Sequence, residues 1–287
     1  MSPASLNLFD LVPGKVLLDR YLLKRAHRQS GMAATFEAAD KKKKDAAREL
    51  LAFPSGLFED RDQAIAFAEK MTDWKKPSSP VLPVLRDIQV LEDGSIVLVT
   101  DFPPGASLRT WMKDNGRMEA EQAIEFGTRL LDGLSMVHEA QLVHGDIKPE
   151  TIYFRPETVE LVLVDAGVTS GLWAAKHLGT RTALIGTPYY APLEQFSGDP
   201  PSVSSDLYNV ATVLYELVAG VLPWTGKSFL EVFQSKMSEP PAIALRAPEA
   251  DVPVRLEAAL LRGLAPSQPN RYSTAEEFAE SLHGAAS

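Results

Sequence analysis

Cysteine is absent from the 287 residues, which excludes disulfide staples, thiolate metal sites and cysteine nucleophiles together. Long apolar runs are missing as well. No stretch of about 18 uninterrupted apolar residues occurs and no signal-peptide core is present, so these residues read as soluble and cytoplasmic, with no membrane segment within them. Basic charge is in short supply: 29 Lys and Arg stand against 38 Asp and Glu, a formal net charge of -9. Both signs are spread along the chain, which argues against nucleic acid as a partner. The one basic run, Lys41 to Lys44, reads as a solvated turn. Internal repeats and low-complexity segments are also lacking. What remains is 45% hydrophobic content, enough at this length for one large domain or for two lobes that share a cleft.

Along the chain, short apolar runs punctuated by Gly, Asp and Lys from Tyr21 to Phe53 predict a strand meander. A helix is expected over residues 60 to 74. The strand signal SIVLVTDF at 95 to 102 breaks at Pro103-Pro104-Gly105, which can continue neither strand nor helix, and marks a boundary. Beyond it the pattern turns helical, with Ile124, Leu130, Leu131, Leu134 and Val137 at a period near 3.6. TIYFRP and ELVLVDAG predict two short strands around a Pro-Glu-Thr turn. DLYNVATVLYELVAG is apolar on nearly every face and stops at Gly220, as a buried helix with a glycine C-cap would. Ser273 and Glu276 are expected to form a capping box for the last helix.

The stretch VHGDIKPETIYF at 143 to 154, followed by LVDAG at 163 to 167, resembles the catalytic loop and metal-binding turn of protein kinases. His-Gly-Asp alone also suits small-molecule phosphotransferases of the aminoglycoside-kinase type. Lys148-Pro149 and three later motifs in matching order favour protein kinases: GTPYYAPLEQ resembles the end of the activation segment, SDLYNVATVLYELVAGVLPW the buried helix after it, and PNRYSTAEE the closing helix. PGKVLLDRYLLKRAHRQSGMAATFEAAD at 13 to 40 looks like the opening of bacterial eukaryotic-like Ser/Thr kinases. The resemblance covers nearly the whole chain. It implies an α+β, bilobal protein-kinase-like fold, with a small β-rich lobe at 1–102, a hinge at 103–106, a larger α-helical lobe at 107–287, and ATP between the lobes.

Phosphoryl transfer is mostly positioning and charge neutralisation, so each part that departs from the family has a definable consequence. By the resemblance, Asp146 orients the attacking hydroxyl and Lys148 steadies the transferring phosphoryl group. Asp165 is the magnesium-binding carboxylate, and Thr187 bonds back to the catalytic loop. His144, Asp206, Glu194 and Arg271 are scaffold residues, the last two as a buried ion pair. Against these stand the departures. Arg28, Ser30 and Ala33 fall on the three glycines of the phosphate loop, leaving Gly31 as its only glycine. Ala47-Arg48-Glu49-Leu50-Leu51 falls on Ala-x-Lys-x-Leu and puts Glu49 where a lysine should hold the phosphates; a shift of one residue would put Arg48 there instead. At about 4 Å and an effective dielectric of about 20, one such contact is worth roughly 4 kcal/mol, so a reversed charge would cost several decades.

Glu69 matches the carboxylate that pairs with that lysine and would repel Glu49. At the hinge, Thr100-Asp101-Phe102-Pro103 aligns on Met-Glu-Tyr-Val, and Pro103 has no N–H to offer adenine. Thr151 stands for the asparagine that ligates a second magnesium ion, a weaker neutral ligand. Ala166 replaces an aromatic residue, Asp73 stands where an apolar side chain is expected, and Gly145 replaces the arginine that reads activation-loop phosphorylation. The expectation is a pseudokinase that acts through a protein partner, with binding of ATP and Mg2+ weak or lost. The alternatives are an atypical Ser/Thr kinase that uses Arg28 or Arg48 in place of the lysine and, further off, a small-molecule kinase.

Overall fold

The structure is a computed structural model that describes residues 6–29, 32–158, 160–176 and 188–285. Gly31 and Thr187 lie outside the described residues. The chain divides into two compact units. One takes in Met1–Lys76, Pro83–Pro103 and Gly171–Leu178; the other takes in Pro77–Leu82, Pro104–Ser170 and Gly179–Ser287.

The smaller unit is built on six strands: β1 (Val16–Leu17), β2 (Tyr21–Gln29), β3 (Ala34–Asp40), β4 (Ala46–Phe53), β5 (Leu85–Val90) and β6 (Ile96–Asp101). They form one antiparallel sheet in the order β1-β2-β3-β4-β6-β5. The meander read from the sequence is therefore present, and β4 sits between β3 and β6 with both edges paired. Successive side chains of a strand point to opposite faces. Leu50 and Ala52 join Tyr21, Leu23, Phe36, Val97 and Val99 in a core on one face. Phe53 turns to the other, where its ring lies 5.3 Å from Phe67 of α1 (Arg61–Thr72). This helix starts on Asp60, whose carboxylate accepts the Gln63 N–H at 2.8 Å, and buries Ala64, Phe67, Ala68 and Met71. It ends two residues before the expected position; a short 3-10 turn, Asp73–Lys75, follows it, with Asp73 drawn to Lys76 at 2.7 Å.

The larger unit contains β7 (Ala106–Ser107), β8 (Ile152–Arg155) and β9 (Glu160–Leu163), paired in that order. Its helices are α2 (Leu108–Asn115), α3 (Ala120–Glu139), α5 (Leu193–Phe196), α6 (Val203–Ala219), α7 (Phe229–Lys236), α8 (Ile243–Arg246), α9 (Val254–Gly263) and α10 (Ala275–His283); α4 (Val168–Lys176) follows β9. Every residue of α6 from Ser205 to Ala219 is buried, as its all-round apolar pattern requires. Ser202 and Ser205 cap its start reciprocally, and Gly220, at φ 72°, takes the left-handed conformation that ends it. The cap of α10 falls one residue later than expected. Thr274 accepts the Glu277 N–H, and Glu277 takes the N–H of Ser273 at 2.8 Å. Glu276 is instead drawn to Ser135 on α3.

Candidate functional site

Strand parity decides what β4 presents. Glu49 shares its face with Leu51 and Phe53, the face that α1 covers, and is 1% exposed. A carboxylate at that depth needs counter-charge or hydrogen bonds. Its neighbour across the ladder gives none, since Glu37 stands directly opposite on β3. Strand β2 supplies both: Arg28 donates from Nε at 2.7 Å to Oε1 and from Nη2 at 3.4 Å to Oε2, and His27 donates from Nδ1 to Oε1 at 2.9 Å. Glu37 has its own partner in Arg25, at 2.6 Å.

The main chain at Arg28 is also tied, because its N–H donates to Thr35 Oγ1 at 2.9 Å and the hydroxyl donates back to its carbonyl at 2.5 Å. These bonds bridge a register shift between β2 and β3. Arg48 leaves β4 on the opposite face. It bonds Asp101 at 2.8 Å and lies 3.8 Å from buried Asp40, in a chain of charges that Arg20 and Arg86 complete. Asp101 is thus committed through its carboxylate to Arg48 and Arg86. Glu69 is exposed on α1, with no hydrogen bond or ion pair among the described residues; the repulsion expected between it and Glu49 is not what governs Glu49, whose carboxylate is answered within the sheet.

In the larger unit the loop ahead of β8 is organised by Asp206 of α6. Its carboxylate, fully buried, accepts the N–H of His144 at 2.8 Å, the N–H of Gly145 at 2.9 Å and Nε2 of His138 at 3.0 Å. Gly145 sits at φ 87°, a conformation that glycine adopts without strain. His144 donates from Nε2 to the Val164 carbonyl at 3.1 Å and accepts the Asp146 N–H on Nδ1 at 3.3 Å, an arrangement that fits the neutral ring. Burial holds its pKa below the usual imidazole value, against the pull of Asp206 and Asp146.

Asp146 and Lys148 face each other at 2.6 Å, both largely shielded from solvent. Desolvation pushes Asp146 above the ordinary carboxylate value, Lys148 pulls it back, and the charge of Asp165 adds to the rise. Asp165 itself is held at φ 61°, a backbone position that non-glycine residues seldom take. Thr151 is buried. Its hydroxyl accepts the Lys148 N–H at 3.1 Å and lies within hydrogen-bond reach of the carbonyls of Asp146 and Lys148, at 2.9 and 3.1 Å.

Comparison with known proteins settles the family. A sequence profile described as the protein kinase domain matches residues 78–282. The chain belongs to the protein kinase family. Among curated kinases of this family, the probable serine/threonine-protein kinase PknB of Lactococcus lactis is 28% identical over 268 residues, 92% of this chain and 42% of that protein. Serine/threonine-protein kinase PknB of Mycolicibacterium smegmatis is 32% identical over 186 residues, 64% of this chain and 29% of that protein. This chain therefore spans less than half the length of these relatives. Among solved structures, the Mycobacterium tuberculosis PknI kinase domain matches with a TM-score of 0.71 at 18% identity, over 96% of this chain and 98% of that one. Rad53 1-466 in complex with AMP-PNP matches with a TM-score of 0.72 at 16% identity, over 91% and 64%. The fold is that of a protein kinase, α+β, with a strand-rich and a helical part.

Magnesium-ATP is the group that the kinase family implies, and the residues present fit it poorly. At the positions that the resemblance assigns to phosphate and adenine, Glu49 offers an anion and Pro103 has no N–H. Thr151 has spent its hydroxyl inside the loop, and among the described residues no group of three His, Cys, Asp or Glu side chains is gathered as a metal site. Asp165 is left as the one carboxylate of the expected pair of ligands.

The scaffold residues named from the sequence do meet. Arg271 bonds Glu194 at 2.7 and 3.0 Å, with its guanidinium over the Tyr208 ring. The sequence reading missed His27, and it missed Arg109, which joins Glu150 at 2.8 Å, Glu216 at 2.7 Å and the Tyr190 hydroxyl. Glu216 was the available signal, since a carboxylate inside the apolar run ATVLYELVAG needs a partner. Buried Lys236 was missed too; it donates to the Tyr189 carbonyl at 2.7 Å, and desolvation holds it well below the ordinary amine value.

Proposed function

We propose that this protein-kinase-fold domain is a pseudokinase: it works by binding a protein partner, and its hold on ATP is weak or lost. The observation that carries the reading is the carboxylate of Glu49, 1% exposed on the α1-covered face of β4, at the position where the family resemblance calls for a phosphate-holding lysine. Arg48, the other cation that could have served, is turned to the opposite face and tied to Asp101. A triphosphate brought to β4 would meet a negative group whose counter-charge is already in place. Pro103 and the engaged hydroxyl of Thr151 act in the same direction.

A second reading is favoured by a different observation. Asp146, Lys148 and the Asp206-anchored loop retain the arrangement that phosphoryl transfer to a protein hydroxyl requires, which suits a working Ser/Thr kinase. A phosphate-transfer assay against generic protein substrates separates the two. The pseudokinase reading expects no turnover above background; robust transfer that disappears in Asp146→Asn would overturn it.

A further inference from the structure

Glu49 poses a problem that the fold answers in an unusual place. The carboxylate is central in the sheet, opposite another glutamate, and its counter-charge comes neither from α1 nor from a neighbouring position on β4. It comes from Arg28 and His27 on β2, which β3 separates from β4 in the sheet order. The side chains of Arg28 and His27 are each 9% exposed, so the cluster is closed to water on nearly all sides. The imidazole is held from a further direction by Phe102, whose ring centre lies 4.5 Å away. Arg28 is fixed in its main chain as well, by the exchange of bonds with Thr35. His27, Arg28, Thr35, Glu49 and Phe102, from four separate stretches of the smaller unit, thus lock into one closed cluster.

We infer that Arg28 and His27 are the residues that exclude nucleotide from the smaller unit, by filling from within the positions that a nucleotide's phosphates and base would need. The inference rests on the pseudokinase reading and names its cause. A polyphosphate could gain Arg28 only by drawing it from Glu49, which would strand a buried carboxylate without counter-charge. A planar base approaching Phe102 would have to displace the imidazole that already lies against that ring. Exclusion is then a property of two side chains and not of the sheet that carries them. Substitution at those positions readmits the ligand.

The test is thermal melting of the chain with and without about 1 mM Mg-ATP, on the wild type, on Glu49→Lys alone and on the triple variant His27→Ala, Arg28→Gly, Glu49→Lys, which removes both occluding side chains and leaves no stranded carboxylate. The wild type and Glu49→Lys are expected to shift by less than about 1 °C and the triple variant by about 2–4 °C. A shift of the wild type or of Glu49→Lys as large as the triple variant's overturns the inference. A triple variant that melts cooperatively and still fails to shift overturns it too, while leaving the absence of phosphate transfer, and with it the pseudokinase reading, untouched. Should the triple variant not fold, hydrogen exchange on the wild type decides the matter: residues 21–53 are expected to exchange at the same rate with about 5 mM Mg-ATP as without it, and protection there of about threefold or more overturns the inference.

Discussion

Two buried carboxylates, Glu49 in the smaller unit and Asp206 in the larger, solve the same physical problem with opposite results. Asp206 is answered by the main chain: two backbone N–H groups and one imidazole converge on it, and the loop they belong to is held with Asp146 and Lys148 opposed. Glu49 is answered by side chains, and in satisfying it Arg28 and His27 are used up. On the reading proposed above, the first arrangement organises a site and the second fills one. A carboxylate held by backbone survives most changes around it, whereas one held by two side chains depends on both.

Breaking the Asp206 arrangement is expected to have the largest effect. Asp206→Ala leaves two buried N–H groups without acceptors, at about 1–3 kcal/mol each, so a loss of about 3–5 kcal/mol is expected in denaturant unfolding, with hydrogen-exchange protection falling first around 144–151. Arg28→Ala removes the guanidinium of the other cluster and strands Glu49, for an expected loss of about 3 kcal/mol. The paired change Arg28→Met, Glu49→Leu restores more than half of it, because an apolar pair needs no counter-charge. If Arg28→Ala costs nothing, the cluster is not holding the sheet.

A smaller effect with the opposite sign is expected at Asp146. Its pKa is raised above the ordinary 3.8, chiefly by desolvation, so between those two values the folded protein binds a proton that the unfolded chain has lost. The ionised group therefore costs stability at neutral pH, and the cost fades as pH falls through the raised value. Asp146→Asn should stabilise by about 1 kcal/mol at pH 7, with the gain shrinking toward pH 4 in urea titrations; a loss at pH 7 would show that the pairing with Lys148 outweighs desolvation. The smallest effect is expected at Glu69, exposed and unpaired among the described residues. Glu69→Ala should change stability by less than about 0.5 kcal/mol, and a larger loss would reveal a partner on α1.

Much of the fold was legible in the sequence because it is local. The strand meander and α6 with Gly220 follow from periodicity and from residues that cannot continue an element. The capping box of α10 shows the limit of such reading. Ser273 with Glu276 and Thr274 with Glu277 both satisfy the pattern, and only packing selects the second, with Glu276 taken by Ser135 across 141 residues. The Arg28–Glu49 bond was not legible for a related reason. It spans 21 residues and depends on a register shift between β2 and β3 that places position 28 beside position 49. The sequence raised Glu49 and Arg28 as separate departures, while the structure makes them one feature. Arg109 and Glu216, 107 residues apart, and Lys236, whose acceptor is a backbone carbonyl, likewise carried no local signature of their contacts.

If side chains inside the smaller unit already occupy what a nucleotide would need, the wild-type chain should not take one up. Calorimetric titration with Mg-ATP tests this most directly. No saturable heat is expected up to about 1 mM ligand, a ceiling on affinity of about -4 kcal/mol. A dissociation constant in the micromolar range, with stoichiometric saturation that Arg28→Ala abolishes, would contradict it and make Arg28 a ligand-binding cation.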